Sequence, residues 1–251
     1  MRRQLFEPWA RDLVARARLR VGMSVLDVAS GPGTVAHLAA ASVGTEGRVL
    51  ATDVSPAMLE LAASPELAGD AARVECLQCP ASALDVVDAS FQRVLCQQGL
   101  QFFPDRLGAL REMHRALEDG GALLVATWAR ERPLGLFGPI DAAMLDCGVS
   151  EPYPQAFDAD TYTVAAEDLR ELLEAAEFAE VSVETVELEC VWESSDELLA
   201  TVFGTPFGPL VGALAPADQE RLRASLLEHF GFPGGGAVAI RTASNVGRAV
   251  K

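Results

Sequence analysis

Val25-Leu26-Asp27-Val28-Ala29-Ser30-Gly31-Pro32-Gly33 is the stretch on which the fold turns. With Ser24 before it, its first half is a short apolar run of strand character. Gly31 and Gly33 then make a turn in which no side chain keeps a ligand from the backbone. Residues 34–41 read as a helix, and a second strand-like run, 48–53, ends in Asp53, twenty residues after Gly33. In an open α/β sheet, ligands sit beyond the carboxyl ends of the strands, where strand order reverses. A carboxylate ending the second strand can accept hydrogen bonds from both hydroxyls of a ribose. Glycine turn and carboxylate together predict a cofactor that contains adenosine.

Outward from this stretch the alternation continues. Ser55-Pro56-Ala57 reads as a helix start, with Ser as cap and Pro in the first turn. Strands are predicted over 73–78 and 91–96. A helix over 105–117 carries Leu107, Leu110, Met113 and Leu117 at helical spacing, and Gly120-Gly121 is expected to stop it before a fifth strand, 122–128. Beyond that, the pattern predicts a helix over 165–176, a strand over 181–190, helices over 194–203 and 217–230, a loop over 231–236 and a last strand over 237–250. Strands alternating with helices make a parallel sheet covered on both faces. No repeat, low-complexity tract or linker divides the chain, so residues 1–251 are expected to form one domain, with cap elements within 130–163 and 191–236.

Composition excludes several kinds of partner. The formal charge of −16 repels phosphate backbones and anionic membrane surfaces, which argues against nucleic acid and membrane as targets. No apolar run reaches the roughly 18 residues that span a bilayer, and Glu7-Pro8 arrives too early for a signal peptide. A cytoplasmic protein is expected. A homodimer stays open. The only lysine is Lys251, so Schiff-base chemistry and a lysine phosphate anchor are excluded. The five cysteines are scattered, and no second pair completes Cys76-x-x-Cys79 as a zinc site, so packing is expected there and no metal.

Gly31-x-Gly33-x-x-Ala36 also fits the loose dinucleotide fingerprint, which keeps an NAD(P)-dependent oxidoreductase open. Asp27 shifts the balance, because a carboxylate under the turn repels a pyrophosphate and attracts an ammonium. The ordered segments then decide the resemblance. Val25–Gly33, the run from Val49 to Leu59, Cys96-Gln97-Gln98-Gly99-Leu100-Gln101-Phe102-Phe103-Pro104-Asp105, and the helix leading into Gly120-Gly121 resemble, in order, the motifs of the class I S-adenosylmethionine-dependent methyltransferases, in particular the small-molecule group that includes the quinone-biosynthesis C-methyltransferases.

The resemblance implies a Rossmann-like, doubly wound α/β sheet of seven strands, the last antiparallel, with a small, mostly helical cap. It implies S-adenosylmethionine as cofactor and S-adenosylhomocysteine as product. Ala29, Ser30, Gly31 and Gly33 would line the methionine and ribose with Asp27 nearby, and Asp53 would hold the ribose. Val54 and Met58 would flank the adenine, and Gln97 and Gln98 would sit beside the reacting methyl. Two positions depart from the family pattern. Pro80 stands where relatives offer an Asp to the adenine amino group, leaving that contact to the backbone near Ala81 and to Ser82. Gln92 replaces the usual Asp after Phe91.

A methyl acceptor completes the expected function: a small molecule, hydrophobic or aromatic, methylated on oxygen, nitrogen or carbon. Phe137, Tyr153, Phe157 and Tyr162 in one segment, and Trp192, Phe203 and Phe207 in another, suit an apolar roof, and Phe6 and Trp9 precede a helix that closes over the cofactor in such proteins. His229, beside the Gly-rich loop, is the candidate general base, ahead of Tyr153 and Tyr162; His37 and His114 are read as structural. A protein of this fold that binds the cofactor without transferring methyl is the alternative from another class.

Overall fold

The computed structural model describes residues 2–63, 70–132, 135–148, 162–204, 211–231 and 236–251. The first half runs α1 (Glu7–Ala17), β1 (Ser24–Val28), α2 (Thr34–Val43), β2 (Arg48–Asp53), α3 (Pro56–Ala62), β3 (Val74–Gln78), β4 (Phe91–Gln97), α4 (Arg106–Ala116) and β5 (Leu117–Trp128). Then follow α5 (Phe137–Asp146), α6 (Ala166–Ala175), β6 (Ser182–Trp192), α7 (Ser195–Phe203), α8 (Pro216–His229) and β7 (Val238–Val250). A π-helical turn, Arg2–Phe6, precedes α1.

The seven strands form one sheet in the order β3-β2-β1-β4-β5-β7-β6. The pairs from β3 to β5 are parallel, and β7 runs antiparallel to both β5 and β6. The chain moves outward from β1 through β2 to β3, then returns to the other side of β1 with β4. That reversal opens a crevice beyond the ends of β1 and β4.

Burial on both faces explains the apolar runs in the central strands. On one face Leu13 of α1 and Ala36, Ala39 and Ala40 of α2 pack against Val25, Val49 and Leu95, and the small alanines let α2 lie close to the sheet. On the other, Leu110 and Met113 of α4 and Leu169 and Leu173 of α6 cover Leu26, Val94 and Leu123. Each such side chain contributes roughly 1.5–3 kcal/mol. A third cluster joins Ile140 of α5, Leu198 of α7 and Leu222 of α8 to Trp128, Trp192 and Ile240. These helices sit where cap elements were expected.

One boundary differs from expectation. Gly120-Gly121 does not separate helix from strand: α4 stops at Ala116, and β5 already begins at Leu117. The glycines lie inside β5, at a shift in its register with β4 between Phe91 and Arg93. Gly120 takes φ +76° and donates its N–H to the carbonyl of Lys251 at 3.1 Å. The lone lysine closes the same corner. Its Nζ donates to the carbonyl of Leu117 at 2.7 Å, where helix-end carbonyls need a donor.

Candidate cofactor and acceptor cavity

The crevice is a cavity of about 690 Å³ at the carboxyl ends of β1, β2, β3 and β4. Its floor is the turn after β1. Ala29 and Gly31 both take left-handed backbone, φ +56° and +53°, and a Cβ on Gly31 would meet nothing within 4 Å, so that residue faces open space. Ala29 holds a conformation that costs a residue with a Cβ about 1–2 kcal/mol. Its Cβ is accommodated because Gly99 lies opposite, where an added Cβ would come within 2.8 Å.

Asp53 ends β2 at the cavity wall. Its Oδ2 accepts the N–H of Gly31 at 2.9 Å, and its Oδ1 accepts the N–H of Ser55 at 2.9 Å. A carboxylate offers about four lone-pair positions, so two remain for a ligand's hydroxyls. Ser55 also caps α3, its side chain accepting from the N–H of Met58. This cap sets Val54 and Met58 on the rim, 64% and 40% exposed, with Leu61 beside them. Pro80, Ala81 and Ser82 form the wall beyond β3, and Cys79 joins them. Cys76 and Cys79 are free thiols, both pushed up by burial, and among the described residues no cluster of metal-binding side chains occurs.

Beneath the turn, Asp27 is buried, and burial pushes its carboxyl up to about 8, with Asp53 adding to the rise and the Ala36 backbone opposing it. Asp27 Oδ2, Ser30 Oγ and Gln97 Oε1 have no hydrogen-bond partner among the described residues. All three residues line the cavity. A cationic, hydrogen-bonding ligand answers Asp27 Oδ2 and Ser30 Oγ, and an adenosine ribose answers the free lone pairs of Asp53. The residues therefore fit S-adenosylmethionine.

Comparison with known proteins agrees. Residues 25–121 match the methyltransferase-domain family. The chain is 36% identical over 168 residues to the ubiquinone/menaquinone biosynthesis C-methyltransferase UbiE of Xanthomonas campestris, covering 64% of this chain and 64% of that protein. The chain is thus similar to the class I S-adenosylmethionine-dependent methyltransferases, and it spans less than two thirds of the length of that relative. This resolves the choice of cofactor that the glycine pattern left open, in favour of S-adenosylmethionine. Among solved structures, the methyltransferase fold is shared with phosphoethanolamine N-methyltransferase 2 of Haemonchus contortus (TM-score 0.59, 18% identity, 97% of this chain and 52% of that one). It is shared equally with the [4+2]-cyclase SpnF (TM-score 0.61, 20% identity, 97% and 80%). The fold alone thus hosts more than one reaction.

Within this cavity, the residues expected at the cofactor are brought together, with one exception. Gly33 does not line the cavity: at φ +80° it packs against α3, where a Cβ would lie 2.9 Å from Cα and Cβ of Ala62. Gln98 reaches the cavity, but its amide is committed elsewhere. Its Nε2 donates to Ser244 Oγ at 2.8 Å, and Gln101 Nε2 donates to its Oε1 at 3.4 Å. Gln92 lies at the opposite end of β4, accepting from the Ser24 N–H and donating to Glu118, so its departure from the family pattern does not touch the cavity.

His229, the expected base, is not among the residues that line the cavity; it ends α8 with its Nε2 2.7 Å from Asp146 Oδ2 of α5, because packing of the two helices brings their ends together. His37 hydrogen-bonds the Ala62 carbonyl at 2.7 Å, and His114 stacks edge-on against Phe178. The roof is corrected in part. Trp192 and Phe203 belong to the third core cluster, with the Trp192 indole N–H donated to Thr201. Tyr153, Phe157 and Phe207 lie outside the described residues, as does the side chain of Phe137. Tyr162 stands edge-on to Phe102 at 5.3 Å.

The aromatic wall is instead Phe6, Phe102 and Phe103. Phe102 and Phe103 sat inside the quoted Gln97–Asp105 motif, and only the bend after β4 shows which way they face. Phe6 packs on Trp128, and its carbonyl accepts from Gln97 Nε2 at 2.9 Å, tying the N-terminal turn over the end of β4.

Proposed function

We propose that this protein transfers a methyl group from S-adenosylmethionine to a small hydrophobic or aromatic molecule. The observation that carries the reading is the bond from the Gly31 N–H to Asp53 at the floor of a cavity walled by Phe6, Phe102 and Phe103. Asp53 holds the ribose, and Val54, Met58 and the Pro80–Ser82 wall enclose the adenine. Ala29, Ser30 and Gly31 hold the methionine portion, with Asp27 receiving its ammonium. When bound, the cofactor supplies a methyl on a sulfonium that is open to in-line attack. The protein's share is to place the acceptor and keep water out, and such positioning supplies roughly 7–11 kcal/mol of the barrier. The apolar wall and the charge of −16 favour an uncharged aromatic acceptor over nucleic acid or a polyanion. The name of the Xanthomonas relative supports a quinone-type ring as one such acceptor.

We read residues 1–251 as one methyltransferase domain whose cap is built from α5, α7 and α8, acting in the cytoplasm. Among the described residues no helix is long and apolar enough to cross a membrane. Calorimetric titration with S-adenosylmethionine and S-adenosylhomocysteine, followed by transfer of labelled methyl to a panel of hydroxylated aromatics, tests the proposal. Binding of both ligands and label in an organic product support it. Failure of the folded protein to bind either ligand overturns it. Binding without transfer to any of the panel favours a cofactor-binding protein that does not methylate.

A further inference from the structure

The sheet order arranges the cavity wall in sequence. Asp53 and Val54 end β2, Pro80 and Ala81 follow β3, the Asp27–Gly31 turn follows β1, and Gln97 ends β4, on the far side of β1 from β2. On the function proposed above, adenine and ribose lie over β3 and β2 and the methionine over β1. The space beside Gln97, between Phe6 and Phe102, is then left for the acceptor.

The amide of Gln97 has a fixed sense there. Its Nε2 donates to the Phe6 carbonyl at 2.9 Å, so its oxygen is turned the other way. That oxygen is buried and has no donor among the described residues. The neighbouring Gln98 presents the opposite case, with both ends of its amide engaged by Ser244 and Gln101. A buried carbonyl with no donor is unfavourable in itself, and it becomes a source of selectivity once a ligand donor reaches it.

We propose that Gln97 selects the methyl acceptor, its Oε1 accepting a hydrogen bond from an O–H or N–H that the acceptor carries. The inference rests on the proposed function and adds to it a substrate class: aromatic molecules with a protic group, in preference to the same rings with that group methylated. A neutral amide oxygen is far too weak a base to take the proton. Gln97 orients the acceptor and does not ionise it.

The test uses the full chain saturated with S-adenosylhomocysteine, titrated with 1-naphthol and with 1-methoxynaphthalene. Wild type is expected to bind 1-naphthol about tenfold more tightly or better, the scale of one hydrogen bond to an otherwise unpaired buried group. Gln97→Met should abolish that preference while S-adenosylhomocysteine affinity, which also reports that the variant is folded, stays within about threefold. Gln97→Glu, which keeps an acceptor oxygen, should retain the preference. Equal or absent binding of the two probes to wild type, or an unchanged preference in Gln97→Met, overturns the assignment. Failure of wild type to bind S-adenosylhomocysteine is read separately, in the first titration, and overturns the proposed function itself.

Discussion

Asp53 at the end of β2 accepts the backbone N–H of Gly31, in the turn after β1, at 2.9 Å. One carboxylate therefore shapes the floor of the cavity as well as facing its contents, and the second oxygen fixes Ser55 at the start of α3.

Replacing Asp53 should thus do more than remove a ligand contact. Asp53→Ala is expected to weaken S-adenosylhomocysteine binding by about 2–4 kcal/mol, more than a single charged hydrogen bond of roughly 1.5–3 kcal/mol, because the turn also loses its anchor. Asp53→Asn, which keeps one acceptor oxygen, should fall between. Calorimetry on the three proteins checks the order, and an Asp53→Ala affinity equal to wild type would refute both roles.

Asp27 makes stability depend on pH in a direction opposite to most acids. Its carboxyl is raised to about 8 by burial, so the folded protein keeps a proton that the unfolded chain releases near 4. The stabilisation is complete below the unfolded value and is lost as pH rises through the folded one. Without cofactor, the melting temperature should fall between about pH 4 and pH 8, and Asp27→Asn should flatten that limb. An ammonium brought beside Asp27 would favour its charged form. Titrations in two buffers of different ionisation enthalpy should then show proton release on cofactor binding that is absent in Asp27→Asn.

The two glycines of the turn should respond differently. Gly33→Ala brings a Cβ to within 2.9 Å of the α3 backbone at Ala62 and pays a left-handed φ as well. It should cost roughly 2–4 kcal/mol of folding stability, read from the urea midpoint. Gly31→Ala meets nothing within 4 Å, so only the backbone term, roughly 1 kcal/mol, should appear. Its larger effect should be on S-adenosylhomocysteine affinity, since the new methyl enters the cavity.

His229→Ala removes the hydrogen bond to Asp146 between α8 and α5. The pair is partly exposed, and a surface interaction of this kind contributes about 0–1 kcal/mol. Methyl transfer to any acceptor found should stay within about twofold of wild type. A loss of a hundredfold, the scale of general-base removal, would return His229 to the reaction.

The fold class was legible in the sequence because it depends on local and periodic features. Apolar runs ending in Gly31 and Asp53, and the Ser55-Pro56 cap, specify strands and helix starts within a few residues, and their order implies a doubly wound sheet. Gly120-Gly121 misled because glycine marks a backbone irregularity without saying whether it is a loop or a bulge. Pairing of β5 with β4 and β7, strands distant in the chain, made it part of a strand.

What the sequence indicated by itself was one end of the cavity, since Asp27, Gly31 and Asp53 lie at two strand ends whose position the alternation fixes, while the resemblance to the methyltransferase motifs added Ala29, Ser30, Val54 and Met58. What only the tertiary structure decided was the surroundings of Gln97 and of His229. Whether Gln97 or Gln98 has a free oxygen depends on Phe6 and Ser244, 91 and 146 residues away, and whether His229 reaches the cavity depends on how α8 packs on α5. Local spacing carries no information about such contacts, because they are set by side chains meeting across the closed sheet and not by the period of any one segment.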